Sequence, residues 1–327
     1  MNKMSVDLNF LLDKEKVEDF INQRSHDLFG SSDYVEVVEI SRTATYNKSS
    51  YNVLYIIKVH GGIKEIRASA SQQISKVANF QLLKFIYENG FDSGKFLIAK
   101  PLGYFEDFNV MFYENIQGKP LMVELTTSLD ELVSKIKPCA QMLKKIHGLP
   151  KPEISLWEAN KFFEFKDLER GALRNYYPQI ATKLDDVLVS IKKKINSNKT
   201  SVFCHGDFQP SNLIINQDKI YVLDFDLVSL FDKEYDIANF ISQLRVMTKR
   251  FGNFENFEIL EKEFLSGYGP YDLEKYNYYE ALVNLRILAT FCVSQGRENN
   301  LEYMPFIYEL LKENLNQIGI ALIDDKS

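Results

Sequence analysis

The run His205-Gly-Asp-Phe-Gln-Pro-Ser-Asn212, followed by Tyr221-Val-Leu-Asp-Phe-Asp226, decides the reading of this chain. Asp207, Asn212 and Asp224 fall within eighteen residues. Two short apolar segments, 213–215 and 220–223, separate the second from the third and read as the strands of a hairpin. The Gly, Pro and Asn of the first segment mark a loop. An ordinary Gly-Asp turn would explain the first half, and an ordinary strand end the second. Neither explains both at this spacing.

Phosphoryl transfer calls for such a set of groups. It needs an oriented acceptor hydroxyl and cations on the phosphate oxygens, with little covalent chemistry from the protein. Asp207 is placed to accept the hydroxyl proton. The side-chain oxygen of Asn212 and the carboxylate of Asp224 suit Mg2+, which prefers hard oxygen ligands and keeps several waters. A metallophosphatase would also use His, Asp and Asn. It would need more histidines than the four dispersed ones here, His26, His60, His147 and His205. His205 reads as a buried scaffold residue and His147 as helix packing. Asp226 reads as a turn cap or added charge at the metal, and Asp236 as an anchor for the loop.

The order follows the protein-kinase pattern of His-Arg-Asp, an Asn five residues after the Asp, and then Asp-Phe-Gly. Here His-Gly-Asp and Asp-Phe-Asp stand in their places. The chain resembles the aminoglycoside phosphotransferase and choline kinase-like family, small-molecule kinases with a protein-kinase-like fold. Met111-Phe-Tyr-Glu-Asn-Ile-Gln-Gly118-Lys-Pro-Leu121 is similar to that family's hinge. Ala140-Gln-Met-Leu-Lys-Lys-Ile-His147 is similar to the helix before its catalytic region, and Asp236-Ile-Ala-Asn-Phe240 to its Asp-Leu-Ala segment. The likeness runs from residue 34 to about residue 300. It implies an α+β, two-lobed fold, with a small antiparallel-sheet N-lobe over residues 1–115 and a larger, mainly helical C-lobe over 116–327. It further implies ATP or GTP as donor, Mg2+, and a small-molecule hydroxyl as acceptor: an aminoglycoside, an amino alcohol or a sugar. Asp207 would be the base, Asn212 and Asp224 the metal ligands. Backbone groups near Glu114 and Ile116 would meet the nucleobase.

Upstream of the motif, apolar residues recur at helical spacing over 7–29. Alternating stretches at 34–41, 51–59 and 63–69 read as strands, with His60-Gly61-Gly62 as a hairpin turn. A helix is expected over 71–88, then short strands at 96–105 and 109–113. Strands followed by helices give an α+β arrangement. The family places a phosphate-holding basic residue on its third strand. By text, Tyr55-Ile-Ile-Lys58 looks like that lysine motif. By strand count the place belongs to Arg67, and Lys58 is the alternative. The two are not equivalent, because Arg carries a planar fork. The family's partner glutamate is missing from the following helix, where Asn79 stands near its place. The phosphate-covering turn, over 45–50, has no glycine.

Downstream, helices are expected near 129–147, 159–171, 177–196, 235–251, 254–268, 273–297 and 301–318. They carry acids and tyrosines that suit a cationic acceptor through charge and cation–π contact. Solvated helix faces and packing explain the same residues.

Composition limits the remaining classes. A net charge of −6 argues against nucleic-acid binding. The basic cluster Lys192-Lys193-Lys194 with Lys199 reads as a solvated loop. Three scattered cysteines, Cys139, Cys204 and Cys292, form neither a zinc spacing nor a disulfide framework, which fits a cytoplasmic protein. No apolar run approaches the ~18 residues of a membrane span. Oligomeric state is not legible. A pseudokinase that binds nucleotide or a partner is the second reading. A kinase acting on protein is the third, against which stands the lack of a long activation segment.

Overall fold

The computed structural model describes residues 7–43, 49–195, 201–294 and 300–321. Contacts divide it into two compact units. The first holds Met1–Gly118, Pro152–Ser155 and Ile214–Phe225; the second holds Lys119–Lys151, Leu156–Leu213 and Asp226–Ser327. Elements are numbered below in chain order.

The first unit is built on a five-stranded antiparallel sheet. Its strands are β1 (Glu36–Arg42), β2 (Ser50–Val59), β3 (Gly62–Ser71), β5 (Pro101–Phe105) and β6 (Val110–Glu114), in the order β1-β2-β3-β6-β5. Period-two burial explains the strands. Tyr51, Val53, Tyr55 and Ile57 of β2 and Ile66, Ala68 and Ala70 of β3 are buried on one face. Glu65, Arg67 and Ser69 alternate onto the other. The expected single helix over 7–29 is instead a 3-10 turn (Leu8–Leu12) and two helices, α1 (Lys14–Asn22) and α2 (Ser25–Phe29). Asp7 and Asp13 accept from the backbone N–H of Asn9 and Lys16, so each starts a new element where one helix would have continued. Leu8, Leu11, Val17, Phe20 and Ile21 then pack on the buried sheet face with Val53, Tyr55 and Phe112. Helix α1 also guards the chain leading into edge strand β1. Glu18 accepts from Val37 N–H (2.8 Å), and Asn22 accepts from Val35 N–H (2.7 Å) and donates to Val35 O (2.8 Å).

Helix α3 (Val77–Ile86) starts later than the spacing predicts. Ser71 Oγ accepts from Gln73 and Ile74 N–H, and Asn109 Oδ1 accepts from Lys76 N–H, so side chains hold the backbone of 73–76 outside the helix. The expected strand over 96–105 divides before Pro101. Its first part, β4 (Phe96–Leu97), leaves the main sheet and pairs in parallel with β10 (Lys219–Val222), which also neighbours β9 (Leu213–Asn216). The hairpin that leads to Asp224 thus groups with the first unit, although it lies far downstream in sequence.

The second unit is mainly helical: β7 (Lys119–Pro120), α4 (Leu121–Glu124), α5 (Leu129–His147), α6 (Asp167–Tyr176), α7 (Pro178–Ile195), β8 (Val202–Cys204), β11 (Ser229–Phe231), α8 (Lys233–Phe251), α9 (Phe257–Tyr268), α10 (Leu273–Val293) and α11 (Asn300–Gln317). Helix α10 is buried over most of its length, from Lys275 to Cys292. Helices α5 and α9 approach closely because Gly267 has no side chain; a Cβ there would lie 2.7 Å from Lys137 O. In place of the helix expected over 159–171 there is a 3-10 turn, Ala159–Phe163, and then α6. The Glu169 carboxylate takes Lys166 N–H (2.7 Å), which sets the start of α6 there. Among the described residues no helix is long and apolar enough to cross a membrane.

Candidate active site

The loop His205–Asn212 leaves β8, which pairs with β11. Its turn is possible because residue 206 is glycine. Gly206 has φ +81°, and a Cβ there would run into the carbonyl oxygen of Leu227. The loop then presents Asp207, which is half-buried. Both carboxylate oxygens of Asp207 accept amide hydrogen bonds. Gln209 Nε2 donates to Oδ1 (2.8 Å) and Asn212 Nδ2 donates to Oδ2 (2.9 Å). Asn212 Nδ2 also donates to the Asp207 backbone carbonyl (2.9 Å). Its nitrogen is therefore committed to Asp207, and its Oδ1 accepts no bond among the described residues.

Beneath the loop lies a buried polar chain. Asp236 on α8 is fully buried and accepts from His205 N–H (2.7 Å) and Gly206 N–H (2.8 Å). His147, the last residue of α5, bonds Asp236 through Nε2 (3.0 Å) and Tyr268 of α9 through Nδ1 (2.7 Å). The carboxylate can only accept, so Nε2 carries a proton; in the neutral imidazole Nδ1 would accept from the tyrosine hydroxyl. Burial pushes the Tyr268 phenol up, which keeps it a donor. The Asp207 N–H donates to His205 Nδ1 (3.2 Å), which places the His205 proton on Nε2. Asn239 donates to Phe208 O (3.1 Å), and Phe208 is buried against Phe240. His147 and His205 are scaffold residues here, and Asp236 anchors the loop. The sequence reading gave Gln209 no role, and it set Tyr268 among tyrosines for cation–π contact or packing without its bond to His147. The contact of Gln209 was within reach of its spacing, two residues from Asp207. Tyr268 is 121 residues from His147 and left no local signal.

In the first unit, Asp224 ends the β10 hairpin with φ +63° and an exposed carboxylate. Asn109 and Gln217 share this left-handed region, which asparagine and aspartate adopt more readily than most residues. Phe225 beside it is buried. Arg67 on β3 lies opposite Tyr113 of β6. Its Nε donates to Asn115 Oδ1 (2.6 Å) and its Nη1 to Thr43 Oγ1 (3.2 Å). Asn115 Nδ2 donates in turn to Glu65 Oε2 (2.6 Å), and its backbone N–H to Glu65 O (3.0 Å). The guanidinium is thus held from the segment that follows β6; the described residues of α3 include no carboxylate. Lys58 lies on β2, opposite Ile63, 66% exposed and 3.8 Å from Glu36. At the hinge, Glu114 N–H is taken by Lys100 O (2.9 Å), while Ile116 N–H has no acceptor among the described residues. Residues 44–48, most of the turn expected to cover phosphate, lie outside the described residues.

Taken singly, the amide oxygen of Asn212 in the second unit and the exposed carboxylate of Asp224 in the first are ligand types that suit a hard divalent cation. A second grouping, His147, Cys204 and Asp236, brings its ligand atoms within 4.8 Å of one another. It does not fit a metal. His147 and Asp236 are spent on the loop, and burial pushes the Cys204 thiol up and keeps it protonated. A cavity of about 680 Å³ in the second unit is lined by Lys193, Lys194, Asp272, Lys275 and Tyr278 among others, and by no residue of the loop.

The family model of the phosphotransferase enzyme family matches residues 65–278, and the chain belongs to that family. A curated relative, a protein LicA homolog from Mycoplasma capricolum subsp. capricolum, is 24% identical over 212 residues, covering 64% of this chain and 74% of that protein. Among solved structures, the choline kinase LicA from Streptococcus pneumoniae is similar at TM-score 0.56 and 16% identity, covering 91% of this chain and 99% of that one. A variant of an aminoglycoside 2′-phosphotransferase in its GDP complex is similar at TM-score 0.57 and 15% identity, covering 95% and 100%. The protein-kinase-like α+β fold expected from the motif is the fold of these neighbours.

Proposed function

We propose that the protein transfers the γ-phosphate of ATP or GTP to a hydroxyl of a small molecule. The observation that carries the reading is the doubly bonded Asp207 carboxylate on a loop tied to buried Asp236. In this reading Asp207 orients the acceptor hydroxyl and takes its proton. Asn212 Oδ1 and Asp224 hold Mg2+, whose charge offsets that of the phosphate oxygens when bound. Arg67 steadies the phosphates, and the hinge near Glu114 and Ile116 meets the base. An amino alcohol such as choline or ethanolamine is the first acceptor to try, since a similar solved structure is a choline kinase. Aminoglycosides come second, on the likeness to an aminoglycoside phosphotransferase.

The test is thermal unfolding with ATP or GTP, with and without Mg2+, followed by turnover across amino alcohols, sugars and aminoglycosides. A Mg2+-dependent nucleotide shift is expected in the wild type and should be lost in Asp224→Asn. Asp207→Asn should lose turnover by a factor of roughly 10²–10⁴ while keeping the nucleotide shift. Turnover surviving in Asp207→Asn would remove the base assignment. A nucleotide shift without turnover on any acceptor would favour a nucleotide-binding pseudokinase.

A further inference from the structure

We infer that Gln209 is a positioning residue on the acceptor side of Asp207, and that Asp207 Oδ1 is the oxygen that meets the acceptor hydroxyl. The inference rests on the reading of Asp207 as base.

The two oxygens of Asp207 differ in how they are held. Oδ2 bonds Asn212 Nδ2, and that nitrogen also bonds the Asp207 carbonyl. The Asn212 backbone N–H donates to Gln209 O (3.0 Å) within the 3-10 turn Pro210–Asn212. The amide that would hold the metal through its oxygen is thus locked to Oδ2 by its nitrogen. With Asn212 as a ligand, Oδ2 would be the oxygen on the metal's side of the carboxylate. Oδ1 bonds the amide of Gln209, at 2.8 Å.

Gln209 reaches Oδ1 from an extended backbone (φ −149°, ψ 161°) on a long, half-buried side chain. A carboxylate oxygen accepts more than one hydrogen bond, so Gln209 and a hydroxyl can share Oδ1. The Gln209 Oε1 accepts no bond among the described residues. A hydroxyl seated on Oδ1 therefore lies beside an amide with acceptor capacity to spare. In the transfer the acceptor O–H bond breaks and its proton passes to Oδ1. The acceptor oxygen bonds the γ-phosphorus, and the bridging oxygen leaves with the nucleoside diphosphate. Gln209 holds the rotamer that keeps Oδ1 turned to that hydroxyl, and positioning of this kind governs rate steeply.

The test is steady-state kinetics on the full chain with Mg·ATP or Mg·GTP and with choline, ethanolamine, glucose and kanamycin as acceptors. Gln209→Leu should lower kcat/KM for the acceptor by about tenfold or more and leave KM for the nucleotide within about twofold. The nucleotide-induced thermal shift should be that of wild type. Gln209→Glu, which keeps the shape and sets a second carboxylate on Asp207, should lose at least as much, and it serves if the leucine variant does not fold. Wild-type kcat/KM in either variant overturns the inference. So does an equal loss toward nucleotide and acceptor, which would mark a general disturbance of the loop. If Asp207→Asn is inactive while the Gln209 variants are not, this inference falls alone. If the wild type transfers to no acceptor, the reading of function falls and takes it along.

Discussion

The loop His205–Asn212 and the β3 face around Arg67 both hold a charged group still, and they do so by different means. The loop is held from below by buried groups. Asp236 is fully buried and gathers two backbone N–H groups and one imidazole. The β3 face is held from the side by the half-buried amide of Asn115 and the exposed hydroxyl of Thr43. Buried polar chains lose heavily when one member is removed, because the rest are left without partners and without water. Half-exposed ones lose little, because water replaces the partner. Damage to the buried anchor of the loop should therefore appear as lost folding, and damage to the β3 face as lost affinity.

The sharpest break is Asp236→Ala. It strands the N–H groups of His205 and Gly206 and the His147 imidazole, and about 3–5 kcal/mol of stability should go. Denaturant unfolding measures it, and a loss below about 1 kcal/mol would deny the anchor. Gly206→Ala comes next. A left-handed alanine pressed against the Leu227 carbonyl should cost about 2 kcal/mol or more. Arg67→Lys gives up the planar fork that spans Asn115 and Thr43. Nucleotide KM should rise about tenfold with the melting temperature nearly unchanged, since a hydrogen bond to a charged group is worth about 1.5–3 kcal/mol. The smallest effect belongs to Lys58→Ala. An exposed pair 3.8 Å from Glu36 contributes about 0–1 kcal/mol, and nucleotide KM should not move. A tenfold rise there, with none in the Arg67 variant, would reverse the assignment of the basic residue.

The difference between the two regions also sets what the sequence could tell. The loop was legible because its groups meet within eight residues and its glycine has a single geometric reason. The strands of the first unit were legible from alternation, as Tyr51, Val53, Tyr55 and Ile57 show. The helical ends were not. Asp13 and Ser71 compete for backbone donors, and capping contacts of that kind override periodicity. The partner of Arg67 was sought on the following helix and stands just after β6, 48 residues away, because antiparallel pairing sets Arg67 opposite Tyr113. Register decides such a meeting, and the pairing that sets it lies far outside the local window around Arg67.

The chain from Tyr268 through His147 to Asp236 has one more consequence. With Asp236 able only to accept, the His147 Nε2 proton has one place, buried between α5 and α8. Such a proton exchanges slowly and resonates far downfield. It offers a single spectroscopic line that reports whether the loop is seated, readable before any substrate is known.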